Sequence, residues 1–352
     1  MGSLSSFHNI IVDPADDVTM AKRLVACLLN ISEARNRHLV EEVAMAAIAS
    51  NKTNQNSSSN DPNLPIKSSV LNIFSDYDYN RSVITIAASV ENIAASVHDA
   101  CVKAYSLIDL SRHDGGHPRL GAVDLVPLHP ISADVTLEEC GQVAKDLASK
   151  LARDVPGSAF FLFGHADVPE CRGLVRRRKD VKWFDGKYDM DYSRLKQDVG
   201  PIPGPRYGMT GVGSIPYVMN CNVTIASNDL DFGKAIAQAI RATTEGGLPG
   251  VQSMAFHHEG NIEIACNVES IYRDDRDNFD VSDLVCSFGK FHHVPSHVLQ
   301  RRVQTMAGAR GIDVVGSSTI IGFTPEVANR VAMEALANGI QEFWRTRKER
   351  MM

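Results

Sequence analysis

The chain has 352 residues, 44% of them hydrophobic and 22% charged, an ordinary globular composition that excludes collagen-like, coiled-coil and disordered architectures. With 36 Lys and Arg against 42 Asp and Glu the formal charge is -6, which argues against a broad electrostatic grip on nucleic acid and favours a small-molecule partner. No stretch reaches the roughly 18 uninterrupted apolar residues of a spanning helix, and the length fits about two domains of roughly 150 residues each.

In chain order, residues 1–20 read as a tail. They lack a basic region followed by an apolar core, so no secretory signal is expected. Met1-Gly2-Ser3-Leu4-Ser5-Ser6 fits the loose myristoylation pattern, but no polybasic segment follows, so no membrane anchor is expected. Residues 25–31 read as a buried strand and 33–49 as a helix, followed at 51–64 by NKTNQNSSSNDPNL, too polar to pack and expected as a flexible insertion. Strands at 69–74 and 82–89 flank the turn Ser75-Asp76-Tyr77-Asp78-Tyr79-Asn80-Arg81; helix 91–109, strand 123–131, helix 136–152 and strand 158–164 follow. From Lys179 to Gly208 the sequence is first charged and then dense in Pro and Gly, which marks the domain boundary. Beyond it come strand 217–225, helix 229–243, a hairpin of 251–257 with 262–268, helical material within 282–307, strand 314–321 and helix 325–343. The first half reads β-α-β-β-α-β followed by an additional α-β, and the second half again reads β-α-β-β-α-β. The expectation is an α/β chain of the α+β type, with two sheet-and-helix subdomains of split β-α-β character and a ligand cleft between the sheets.

The seven cysteines, Cys27, Cys101, Cys140, Cys171, Cys221, Cys266 and Cys286, are never closer than 20 residues. That spacing gives no disulfide framework and no CxxC site, and it suits the reducing cytoplasm. His257-His258 lie on alternating faces of a strand, and His292-His293 with His297 sit beside Pro295 without Cys or carboxylate partners at ligand spacing, so no metal is expected.

The densest polar segment is Ser111-Arg112-His113-Asp114-Gly115-Gly116-His117-Pro118-Arg119-Leu120-Gly121, between a helix end and a strand start. Its glycines let a ligand approach the backbone, histidine suits proton exchange near neutral pH, and arginine grips carboxylates bidentately. On spacing alone the loop reads equally as a site or as a surface loop with one capping histidine and solvated arginines.

The stretch IDLSRHDGGHPRLGAVDLVPLHPI resembles the signature IDMSRHxGxHPRMGAxDVxPFxPV of the glutamate formiminotransferase family. Cys27 to Glu33 is similar to its CVPNFSE, Ser75 to Val83 to its SDPDHNRSV, Asp198-Val199-Gly200-Pro201 to its DFGP, and Gly250-Val251-Gln252 with Asn267-Val268 to its GxVQ and later SxN region. The motifs stand in the family's order over about residues 24 to 325. The resemblance implies a folate-dependent transferase with tetrahydrofolate as co-substrate, a small amino-acid-like second substrate, no nucleic acid or membrane partner, and a homodimer. It also implies that only the transferase module is present, with no room for a cyclodeaminase half.

Carried over position by position, His117 falls on the family's catalytic histidine. Folate or substrate binding falls on Asp76, Asn80, Arg81, Arg119 and Gly121, and on Gly200, Pro201, Arg206, Tyr207 and Gly208 of the folate loop. The organisation is then an N-terminal subdomain at 21–185, a linker with folate-binding loop at 186–208 and a C-terminal subdomain at 209–345. Asn222 and Asn267 read either as pterin partners or as groups satisfying backbone.

Three departures bear on the second substrate. Ile215 stands where the family's TGAR has arginine, Phe163-Gly164-His165-Ala166 replaces YGEA, and Arg177 to Trp183 replaces IRxGEYE. A neutral residue at 215 cannot pair with an amino-acid carboxylate, so the alternative is a folate-binding protein that has lost or changed the glutamate substrate. The cluster Arg176-Arg177-Arg178-Lys179 with Lys182 reads as a solvated helix face, or as a cationic patch for the glutamate tail of folate.

Overall fold

The computed structural model describes residues 23–51, 66–181, 191–272 and 284–347. The expected tail, nearly all of the 51–64 insertion, Lys182, Trp183 and residues 186–190 of the linker lie outside them.

The first sheet is built from β1 (Leu24–Ile31), β2 (Ser68–Asp76), β3 (Arg81–Ser89), β4 (Val123–Pro130), β5 (Ala159–Gly164) and β6 (Met209–Ser214), in the order β2-β3-β1-β4-β6-β5. β1 runs antiparallel to β3 and β4, while β4, β6 and β5 are parallel. The run LVACLLNI of β1 is apolar at consecutive positions because both faces of this central strand are covered. On one face lie α1 (Arg37–Ala47), α2 (Val90–Leu107) and α3 (Leu137–Asp154). Helix α1 starts where Asn36 accepts from the Leu39 amide, and α3 where Thr136 accepts from the Glu139 amide, with Glu138 and Glu139 in its first turn. Between helices and sheet, Leu29, Ile31, Ile84, Ile86, Ile93, Val97 and Phe160 are fully buried, each worth about 1.5–3 kcal/mol against exposure.

The second sheet comprises β7 (Val218–Ile225), β8 (Val251–His258), β9 (Asn261–Glu269) and β13 (Val314–Ile321), in the antiparallel order β13-β7-β9-β8. Helices α5 (Leu230–Ile240) and α6 (Ser296–Gly308) cover one face. Along β7 burial alternates: Met219, Cys221, Val223 and Ile225 are buried, while Val218, Asn220, Asn222 and Thr224 are half-buried on the opposite face. A period of two with one apolar set fixes which face meets the helices. A smaller sheet of β10 (Ile271–Tyr272), β11 (Val285–Phe288) and β12 (Phe291–His293), too short to read from sequence, precedes α6.

Three findings correct the sequence reading. Strand β6, at the expected start of the C-terminal subdomain, lies between β4 and β5, so the change of sheet falls after Ser214 rather than at 208. Helix α7 (Pro325–Ala337) leaves the second half and covers the far face of the first sheet, where Ala328, Val331, Ala332 and Ala335 meet Leu24, Ala26, Leu28 and Leu71. The charged stretch after β5 forms α4 (Leu174–Asp180), a solvated face only in part: Arg176 and Lys179 are exposed, but Arg177 and Arg178 are not. Arg177 is buried, donates from Nε to the Leu162 carbonyl at 2.7 Å and pairs with Asp198; Arg178 also turns inward, and Arg176 alone of the three stays exposed.

Candidate functional site

After α2, Asp109 caps a short 3-10 turn by accepting from the Ser111 amide, and the chain enters the loop that ends at β4. The loop is zipped to the β2–β3 turn. Gly116 donates its amide to the Asp78 carbonyl at 3.0 Å, and a Cβ on Gly115 would fall 2.3 Å from the Tyr79 carbonyl oxygen. His113 is buried and donates from Nε2 to the Asn80 carbonyl at 2.9 Å, and desolvation pushes its pKa down. Asn80 has a φ of 47° and accepts at Oδ1 from the Ala34 amide while its Nδ2 donates to the Asp114 carbonyl. His113 is therefore the capping histidine of the loop, and the Asn80 side chain is engaged in holding the two turns together.

His117 is half-buried at the end of this joint. Its Nδ1 donates to the Pro118 carbonyl at 2.7 Å, which puts the lone pair of the neutral ring on Nε2. Desolvation, reinforced by the Arg81 cation, lowers its pKa to about 3, with Asp124 acting in the opposite direction. Arg81 donates from Nη1 to Asp124 Oδ2 at 2.7 Å and from Nε to Asn30 Oδ1 at 3.1 Å. Asp124 Oδ1 accepts from the amides of Leu120 at 2.7 Å and Gly121 at 3.3 Å. Burial alone would push the Asp124 carboxyl up; Arg81 and Arg178 outweigh it and hold the group below the usual carboxylate range. Burial lowers the Arg178 pKa to about 10 despite Asp124. Arg119 donates from Nη2 to the His113 carbonyl at 3.0 Å. Arg81, Asp124 and Arg178 thus surround His117, while Arg119 is held at the His113 carbonyl; sequence reasoning did not single out Asp124, and it read Arg178 only as part of a cationic cluster.

The second sheet faces this group with polar residues. Asp76 accepts at Oδ1 from the Tyr79 amide at 2.8 Å and stands 3.4 Å from His258 Nε2 through Oδ2. The Tyr79 hydroxyl donates to Glu263 Oε1 at 3.4 Å. Asn220, Asn267 and Gln252 occupy one row across β7, β9 and β8, and Asn220 Nδ2 donates to Asn267 Oδ1 at 2.6 Å. Asn267 therefore bonds another side chain rather than backbone. Gln252 Nε2 donates to Glu269 Oε2 at 3.3 Å, and burial pushes the Glu269 pKa up to about 7. The signal for Glu263 and Glu269 was present in the alternation of NIEIACNVE, where the polar set falls on one face.

The 198–208 segment packs against the far end of the His117 loop. Gly121 bridges Gly208, Met209 donates its amide to the Leu120 carbonyl, and Ala122 to that of Tyr207. Gly208 has a φ of 64°, and a Cβ there would lie 1.8 Å from the Leu120 carbonyl oxygen, so only glycine fits. Gly200 and Pro201 are exposed, Tyr207 packs edge-on to Tyr105, and Arg206 engages Asp109 at 3.4 Å and the Tyr207 ring rather than the His117 group. Ile215 is 8% exposed and packs with Leu120, Leu125, Phe161 and Phe163.

Among the described residues no group of three His, Cys, Asp or Glu side chains forms a metal site, and no helix is long and apolar enough to cross a membrane. A recess of about 350 Å³ between α3 and residues 165–171 holds none of the residues above.

Residues 24–215 match the family described as formiminotransferase domain, N-terminal subdomain. The chain is 32% identical over 266 residues to a formiminotransferase cyclodeaminase-like protein of Arabidopsis thaliana, covering 71% of this chain and 83% of that one. It is 30% identical over 234 residues to a glutamate formimidoyltransferase of Thermoplasma acidophilum, covering 66% and 72%. Over 317 residues it is 27% identical to a glutamate formimidoyltransferase of Streptococcus pyogenes, covering 88% and 91%.

Proposed function

The chain belongs to the formiminotransferase family, and from that premise we propose that it is a folate-dependent one-carbon transferase, moving a formimino group between N5 of tetrahydrofolate and glutamate. The observation that carries the reading is the fixed tautomer of His117, with Nδ1 spent on the Pro118 carbonyl. When N5 attacks the formimino carbon it must lose a proton, and the departing glutamate nitrogen must gain one. A lone pair on Nε2 takes the first and returns it as the second, a contribution of about 10² to 10⁴ in rate. The same proton traffic serves a formyl group or a related amine.

His117 sits in a desolvated site among cations. Desolvation and the Arg81 and Arg178 cations hold the proton off, and a substrate carboxylate beside them would offset their charge and bring the imidazole toward its working range. Arg81, Arg119 and Arg178 are therefore the cations we assign to carboxylate recognition, in place of the apolar Ile215. With cations beside His117, Ile215 gives little support to a folate-binding protein without transfer activity, and the matched relatives carry transferase names. The row Gln252, Asn267 and Asn220, with Glu269, supplies donors and acceptors suited to the edge of a pterin between the sheets. On this reading the enzyme works in the cytoplasm as a homodimer; the free Cys27, Cys101, Cys140, Cys221 and Cys266 are buried as small core residues.

Turnover of N-formiminoglutamate with tetrahydrofolate, wild type against His117→Ala, tests the assignment. The variant is expected to lose about 10² or more in kcat; unchanged turnover would overturn the role of His117.

A further inference from the structure

Tyr79 stands where the β2–β3 turn meets the second sheet. Its ring centroid lies 5.3 Å from that of His117, 5.9 Å from Phe256 and 5.8 Å from His258. Its hydroxyl donates to Glu263 on β9, and burial pushes that hydroxyl well above its usual range, so it stays a donor. Both ends of the contact are anchored. On the turn side, the Tyr79 amide is held by Asp76 and the next residue, Asn80, by Ala34 and Asp114. On the sheet side, Glu263 is also bonded by Asn222 and lies 4.0 Å from His258 Nδ1. The titratable groups around Tyr79 are Asp76 and Asp78 from the turn, His117 from the loop, His258 from β8 and Glu263 from β9; around His117 they are Arg81, Asp124 and Arg178. In the quoted family motif SDPDHNRSV the position of Tyr79 is histidine, too short to offer both this ring and this hydroxyl.

We propose that Tyr79 is a positioning residue that seats the second sheet over His117: its ring walls the imidazole from water, and its hydroxyl on Glu263 makes that wall depend on the two sheets being closed. This rests on His117 being the acid and base of the transfer. Desolvation is the largest influence on the imidazole, so releasing the wall admits water and moves its titration toward the ordinary value. Tyr79→Phe removes the tie and keeps the ring; Glu263→Leu, which has no acceptor for the Tyr79 hydroxyl, removes the tie from the other side and is the second variant should the first not fold.

The experiment follows the His117 imidazole by proton–nitrogen NMR titration of the full chain, with its signals identified by their loss in His117→Ala, together with the pH profile of kcat in the transfer assay. Both variants are expected to raise the His117 midpoint by about one unit, a tenfold change in proton affinity, and to move the acid limb of the profile the same way. Midpoints and profiles identical to wild type in both variants, with His117→Ala inactive, would overturn the proposal and leave the transferase reading standing. Full turnover in His117→Ala would overturn that reading and the positioning role with it.

Discussion

Asp124→Asn removes one charge from behind His117 and preserves its shape. The carboxylate is 1% exposed, its Oδ2 meets the Arg81 guanidinium at 2.7 Å and its Oδ1 takes the Leu120 amide at 2.7 Å. An asparagine keeps one oxygen for Leu120, but its NH₂ must then face a guanidinium that is itself 9% exposed, donor against donor. Breaking one side of such a buried pair costs about 3–5 kcal/mol, a large share of the roughly 5–15 kcal/mol that holds a protein folded. The folded pKa of Asp124 lies below its unfolded value. Its contribution is therefore full above about pH 4 and fades as pH falls through the lowered folded pKa. Urea unfolding at pH 7 should show a loss of about 3–5 kcal/mol, seen as a midpoint lower by about 1–3 M, and the gap to wild type should narrow in strongly acidic buffer. Adding Arg81→Met removes the stranded cation and should recover part of the loss. A loss under about 1 kcal/mol at pH 7, or no recovery in the double variant, would refute the view that Asp124 and Arg81 act as one buried unit.

Gly208→Ala places a methyl group against the Leu120 carbonyl at a left-handed φ, and should cost about 2–3 kcal/mol in urea unfolding; a change within about 0.5 kcal/mol would mean the loop does not rest on Leu120. Glu269 has a folded pKa of about 7, above its unfolded value, so its contribution is full below about pH 4 and is lost as pH rises through 7, where folding must accommodate a buried charge. Glu269→Gln, which keeps a partner for Gln252, should match wild type near pH 4 and be more stable by about 2–3 kcal/mol at pH 8; parallel pH curves for the two proteins would rule out the burial explanation.

The order of the long elements was legible because their periodicity is strong: LVACLLNI of β1 and the alternation of β7 and β9 admit few other readings. Strand β6, MTGVGS, was not. Its two glycines carry no side chain to pattern, yet Gly211 and Gly213 are what let Phe161 and Phe163 of β5 lie close against it. The inward turn of Arg177 and Arg178 was hidden because their partners, Asp198, the Leu162 carbonyl and Asp124, are distant in sequence, and a run of arginines looks solvated until those partners are known. At the site, His117 and Arg81 were readable from a motif, and Asp124 was not picked out although it lies inside one. Tyr79 and Glu263 gain meaning only from the approach of two sheets, which no local pattern encodes. His113 shows the reverse case: within the same motif as His117, its ring is spent on the Asn80 carbonyl and holds the loop.

Helix α7 sets a timetable for the nascent chain. The first sheet is threaded once β6 has emerged, but Leu24, Ala26, Leu28 and Leu71 remain bare on its far face until residues 325–337 arrive. The edge strand β2 also waits for the stretch that follows, since Val70 donates to the Gln341 carbonyl and Ser69 Oγ to that of Ile340. At a synthesis rate of 5–20 residues per second, the interval between Ser214 and Pro325 is roughly 5–20 s, long compared with the collapse of a chain this size. During that window the ribosome carries a finished sheet with an open greasy side, a substrate for holding chaperones, and the segment 24–215 cut out on its own would keep that side permanently.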